Sequence, residues 1–212
     1  MSTRAIVTQH PDRPGGPTRG NEVRIPKSIE HIAYYDIENA PTSFRERYPL
    51  TKPIAIAWNI DGQTDYWAKN ASDESLAEGL ERFRRDCWTP ATLIVGHNIR
   101  QHDNPIVNAA ILRATAGKGA PLSEKLCRDT LRDLIALKGI GRSLEALCVY
   151  FGLGDRKMHL SEAEWEELWE MDTPEKRAVA IDRCQSDVAI TIQVSDRLHD
   201  NEWLHDAKIW RP

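Results

Sequence analysis

The chain has 212 residues, 41% of them hydrophobic and 28% charged, the balance of an ordinary globular domain. Lys plus Arg number 28 against 32 Asp plus Glu, a formal net charge of −4. That charge excludes a blanket electrostatic grip on nucleic acid and leaves a local basic groove or bound metal ions to supply one. No apolar run reaches the length of a membrane-crossing helix and the first residues lack the apolar core of a secretory signal, so no membrane partner and a cytoplasmic location are expected.

Residues 1–29 carry Pro11, Pro14, Pro17 and Pro26 with Gly15, Gly16 and Gly20, and their basic residues Arg4, Arg13, Arg19, Arg24 and Lys27 face only Asp12 and Glu22. So few apolar groups cannot offset the entropy of ordering, and the segment reads as a flexible basic arm, either a plain tail or one that touches nucleic acid. A single domain over 30–212 follows. Ile32 to Ile37 and Pro53 to Ile60 read as buried strands, and Asp61-Gly62 predicts a hairpin into a third strand, Gln63 to Trp67. Ser72 or Asp73 caps a helix to about Asp86, with Leu76, Leu80 and Phe83 on one face. Ala91 to Val95 is a buried strand that opens into Gly96-His97-Asn98, followed by a helix from Pro105 to Ala116.

Leu126 to Arg128 is a short strand, and Asp129 or Thr130 caps a helix through Leu137. Ser143 to Phe151 forms a helix closed by Gly152, and a polar loop runs from Asp155 to His159. Ser161 caps a helix to about Met171, and Thr173 caps a long final helix from Pro174 to Asp200. This order predicts an α/β fold whose mixed sheet combines an antiparallel hairpin with parallel strands under a cover of helices. Cys87, Cys127, Cys148 and Cys184 form no Cys-x-x-Cys pair, so reduced, buried thiols are expected rather than a tetrahedral zinc site. Trp58, Trp67, Trp88, Trp165 and Trp169 read as packing residues rather than base-stacking platforms.

Three acidic clusters carry the chemistry. Asp36 and Glu38 stand two apart at the end of a strand, on one side of it, where two carboxylates repel each other unless solvent or a hard divalent cation intervenes. Asp103 opens the helix after Gly96-His97-Asn98, as a simple N-cap or as a site residue beside a buried strand end. Asp187 lies among Val188, Ile190, Ile192 and Val194 in the last helix, one turn after Arg183, with which it forms a surface pair unless it points at a cation.

Together, and in this order, the clusters resemble the motifs of the DEDD superfamily of 3′–5′ exonucleases, which have a ribonuclease H-like fold. Tyr35-Asp36-Ile37-Glu38 is similar to the strand-borne Asp-x-Glu, Gly96-His97-Asn98 with His102-Asp103-Asn104-Pro105 to the second motif, and Cys184-x-x-Asp187-Val188 with Thr191 to the third. Asp129-Thr130 resembles a recurrent Asp-Thr between the second and third motifs. The likeness covers about residues 31 to 199 and is greatest to small stand-alone phage and bacterial exonucleases and to the proofreading domains of family B polymerases. For a phage-encoded chain the location becomes the host cytoplasm.

The resemblance implies that Asp36, Glu38, Asp103 and Asp187 hold two Mg²⁺ or Mn²⁺ ions, with Asp36 bridging, for hydrolysis of single-stranded DNA or RNA from the 3′ end. It also implies a polymerase, replication or repair partner. The family's general base, a Tyr four residues or a His five residues before the last acid, is replaced here by Arg183 and Asp182. An arginine stays protonated, so Arg183 is assigned to substrate phosphate; either the metal-bound water needs no separate base or another residue serves, His159 first and His102 second, and Asn98, Lys157, Arg156 and Arg100 are assigned to substrate. Three alternatives stay open: a nucleic-acid-binding module with a degenerate site, a ribonuclease H-like endonuclease, and a metallohydrolase acting on small phosphate esters.

Overall fold

The computed structural model describes residues 29–39, 52–135, 138–153, 160–168 and 171–212. The expected arm, Ile29 apart, lies outside the described residues, as do Arg156, Lys157 and His159. The described chain forms a six-stranded mixed sheet flanked by helices, with the strands in the order β3-β2-β1-β4-β5-β6, a ribonuclease H-like arrangement.

Strand β1 (Ile32–Asn39) lies at the centre, antiparallel to β2 (Pro53–Ile60) and parallel to β4 (Leu93–Gly96). The β2–β3 hairpin (β3, Gln63–Ala68) turns through Asp61 and Gly62, whose φ values of 51° and 83° are the two positive angles a type I′ turn requires. β5 (Lys125–Asp129) runs parallel to β4, and β6 (Lys208–Trp210) closes the edge antiparallel to β5. β6 leaves no trace in the sequence pattern, because its three residues are too few to carry a periodic signal.

The two-residue period of β1 sorts its side chains between two cores. Ala33, Tyr35 and Ile37 face one cluster with Ile56, Trp58, Phe83, Trp88 and Ile106. That core is roofed by helix α1 (Leu76–Phe83), the wider π-type turn that continues it over Arg84–Trp88, and α2 (Asp103–Ala114). Trp58, Trp67 and Trp88 are buried, as expected of packing residues. Tyr34, Asp36 and Glu38 fall on the opposite period, toward the long helix α5 (Pro174–Asp200). Opposite the two acids β2 places only alanines, Ala57 beside Asp36 and Ala55 beside Glu38. Both are buried in the cluster that also holds Ala180, Cys184 and Val188 of α5. Small residues on the strand let the helix come close, and the Cys184 thiol donates to the Asp36 main-chain oxygen at 3.2 Å.

Local signals set most of the boundaries. Ser75, rather than Ser72 or Asp73, caps α1 in a reciprocal box with Glu78. Ser143 caps α3 (Leu144–Phe151), and Gly152 ends it at φ 63°. Ser161 and Glu164 form a similar reciprocal pair at the start of α4 (Glu162–Leu168), and Thr173 with Pro174 starts α5. One predicted helix, from Asp129 or Thr130 to Leu137, does not form among its described residues. The Asp129 carboxylate accepts from the backbone of Leu131 and Arg132 as a cap would, but the chain then turns and Leu134 bridges to Leu204. Asp129 instead satisfies a turn whose remaining partners come from another loop.

Candidate metal centre

The acids of β1 and α5 meet where the sheet opens. Asp36, Glu38 and Asp187 each present a carboxylate oxygen within 4.8 Å of the others. Unit charges at that separation repel by roughly 3.5 kcal/mol per pair at an effective dielectric of 20, so the trio needs positive charge nearby. Glu38 and Asp187 are buried, at 6% and 1% exposure, and Asp36 is half-buried.

Asp103 is also buried and lines the same opening, but it stands outside the group of three. β1 and β4 pair only as far as Tyr34 and Val95. Beyond that fork the Ile37 N–H has no strand carbonyl from β4, and it donates to Asp103 Oδ1 at 3.3 Å. The carboxylate thus extends the sheet's hydrogen bonding while it faces the cavity. His102 Nδ1 lies 3.4 Å from the other oxygen of Asp103.

The loop between β4 and α2 is held from beneath. Gly96 is required there, because a Cβ would stand 2.7 Å from the Ile99 side chain. Asn98 takes a left-handed conformation, φ 65°, and its N–H and that of Arg100 donate to the fully buried Asp129 carboxylate at 3.0 and 3.1 Å. The Asn98 side-chain oxygen accepts from Arg132. His97 pairs with Thr130 at 2.9 Å.

Arg100, expected to meet substrate phosphate, faces an internal carboxylate. Its guanidinium is 13% exposed and grips the fully buried Asp133 with bonds of 3.1 and 2.5 Å. It is a structural cation that braces the loop. This pairing had no local signal, since Arg100 and Asp133 lie on different loops, 33 residues apart.

Arg183 reaches the centre as well. Its Nε donates to Glu38 Oε1 at 2.6 Å, an ion pair that reaches across from α5 to β1, beyond the one helix face on which the sequence paired it with Asp187. Asp182 is exposed, as its angular distance from Asp187 around the helix requires. Cys184 sits directly beneath the acids, and burial, with the charges of Asp36 and Glu38, pushes its thiol well above the usual range.

A cavity of about 590 Å³ collects these groups, lined by Asp36, Glu38, Asp103, Asp187, Asn98 and Arg183. Ile37, Asn39, His97, His102 and Leu160 complete it, and both histidines fall within the second acidic motif of the sequence. His97 is the middle residue of the Gly-His-Asn run and was legible there. The donor set is hard, anionic and all oxygen, so the three carboxylates could hold a metal ion, a hard cation in preference to a soft one. All four cysteines are buried thiols outside any disulfide, and none joins a metal-competent group among the described residues. No described helix is long and apolar enough to cross a membrane.

No protein-family model and no curated protein matches the chain. Solved structures do match it. One is the family B DNA polymerase from the hyperthermophilic archaeon Pyrobaculum calidifontis, at 20% identity and a TM-score of 0.56. The match covers 84% of this chain and 25% of the polymerase, so the chain spans about a quarter of that protein's length. At this identity the likeness is one of fold.

Proposed function

We propose that this protein is a metal-dependent 3′–5′ exonuclease of the DEDD type, hydrolysing phosphodiester bonds at single-stranded nucleic-acid ends and releasing mononucleotides. The observation that carries the reading is the convergence of Asp36, Glu38 and Asp187 within 4.8 Å inside a cavity that Asp103 also lines. A fold shared with part of a family B DNA polymerase supports it. Divalent ions bound there supply Lewis acidity toward the phosphodiester and acidify water.

The chain's own residues do the rest. The carboxylates of Asp36, Glu38, Asp103 and Asp187 fix the cation positions, which the motif resemblance sets at two. Asn98, held in its turn by Asp129, offers an amide to the terminal nucleotide. Proton uptake is assigned to His102, at the cavity wall, or to His159, in the segment outside the described residues. Lys157 of that same segment supplies charge for the phosphate backbone.

The test is a 5′-labelled single-stranded oligonucleotide, DNA or RNA, incubated with Mg²⁺, Mn²⁺ or EDTA beside Asp36→Ala. A metal-dependent ladder shortening from the 3′ end, absent in the variant and absent on circular single strands, is the expected result. Cleavage of the circle would mean an endonuclease. A second reading, a nucleic-acid-binding module with a degenerate site, draws on Arg183 at Glu38, where the resemblance calls for a proton acceptor. It predicts metal and oligonucleotide binding without shortening.

A further inference from the structure

We infer that Arg183 stands in for one of the two expected cations, so that the free protein binds a single divalent ion among Asp36, Glu38 and Asp187. The inference rests on the reading of this cavity as a metal centre and changes its stoichiometry.

Three observations converge on it. First, oxygens that share one Mg²⁺ at about 2.1 Å lie no more than about 4.2 Å apart. The three carboxylate oxygens, all within 4.8 Å of one another, therefore need only small adjustments to close on one ion. Asp103 is not part of that group and one of its oxygens is engaged by the Ile37 N–H. Second, the guanidinium is anchored in the site. Arg183 rises from the middle of α5, its side chain is 16% exposed, and its Nε lies 2.6 Å from Glu38 Oε1.

Third, the charges balance differently with Arg183 present. Four carboxylates would be neutralised by two divalent ions. With a guanidinium at Glu38, one divalent ion leaves the cluster with one net negative charge, whereas two would leave it with one net positive charge. A second ion would also have to compete with Arg183 for the Glu38 carboxylate. Because a guanidinium cannot shed its proton, it cannot leave as a neutral group. The same charge then faces the phosphodiester where a second ion otherwise would, which explains how an arginine can occupy the position of the family's Tyr without emptying the site of positive charge.

The experiment is a titration of the full chain with Mn²⁺, read by calorimetry and by Mn²⁺ electron paramagnetic resonance, for the unmodified protein, Arg183→Lys, Arg183→Gln and Arg183→Tyr. Circular dichroism identifies any variant that fails to fold, and the two neutral replacements back each other up. The expected result is one ion in the unmodified protein and in Arg183→Lys. In the neutral variants two ions should bind, with the exchange-coupled spectrum of a close ion pair. Two ions in the unmodified protein or in Arg183→Lys would overturn the inference, as would a single ion in the folded neutral variants. Absence of binding in every form would instead remove the metal centre itself, and the proposed function with it.

Discussion

Arg183 Nε donates to Glu38 Oε1 at 2.6 Å, joining the middle of α5 to the end of β1 across 145 residues of sequence. The contact closes one wall of the cavity and brings a permanent positive charge to a cluster of acids. It exists because α5 lies close to the sheet, over the alanines of β2 and with Cys184 bonded to the β1 backbone.

That closeness can be tested. Ala57 is fully buried and pairs with Asp36 in the sheet. Ala57→Leu should push α5 outward, cost about 1–3 kcal/mol by overpacking, and lower Mn²⁺ affinity by separating Asp187 from Asp36. Urea unfolding and metal titration of the same variant check both effects, and unchanged metal affinity would show that the alanines do not set the site's geometry.

Asp36→Asn and Asp187→Asn should each reduce oligonucleotide degradation by about a hundredfold or more, since even groups that only orient metal ligands contribute 10–100-fold. In EDTA these variants should melt at or above the temperature of the unmodified protein, because each removes one of three mutually repelling charges. Thermal melts with and without Mn²⁺ separate the two effects: the metal should raise the melting temperature of the unmodified protein and of neither variant.

Asp133→Ala should behave differently. It strips the counter-charge from the nearly buried Arg100 and an acceptor from the Asp129 N–H, and should cost about 3 kcal/mol. Because Arg100 braces the loop that leads into Asp103, activity should fall with stability. The double variant Arg100→Ala, Asp133→Ala should lose less than the sum of the single losses in denaturant unfolding.

The buried thiols predict a dependence on pH. Burial pushes Cys87 and Cys184 up, and Cys127 to about 12. In the unfolded chain thiols ionise at about 8.5, so above that pH the unfolded state holds fewer protons than the native one. Stability should then be fully present below about pH 8 and fall as pH rises toward the native values, by up to about 1.4 kcal/mol per pH unit for each thiol. Melts between neutral and alkaline pH test the slope. Alkylation by iodoacetamide should leave Cys87, Cys127 and Cys184 unmodified in the native protein at pH 8 and label them after unfolding, as read by mass spectrometry.

What the sequence determined by itself was everything that depends on near neighbours. The alternating β-formers of β1, the Asp61-Gly62 turn, the Ser143–Gly152 and Thr173-Pro174 boundaries and the acids two apart at Asp36 and Glu38 all act within a few residues, so period and capping chemistry reveal them. The order of the acidic motifs also named the strand and helix from which the three clustered carboxylates come. The tertiary structure decided the pairings. Asp129 carries the signal of a helix cap, yet its carboxylate also takes the backbone of Asn98 and Arg100 from a different loop, and the described residues after it form a turn. The sequence offered no sign that Arg100 would meet Asp133 in the interior, or that Arg183 would reach across to Glu38. A charged side chain's role is set by the opposite charge it can reach, and that partner is chosen by how closely a helix packs on a sheet, a quantity spread over residues far apart in the chain.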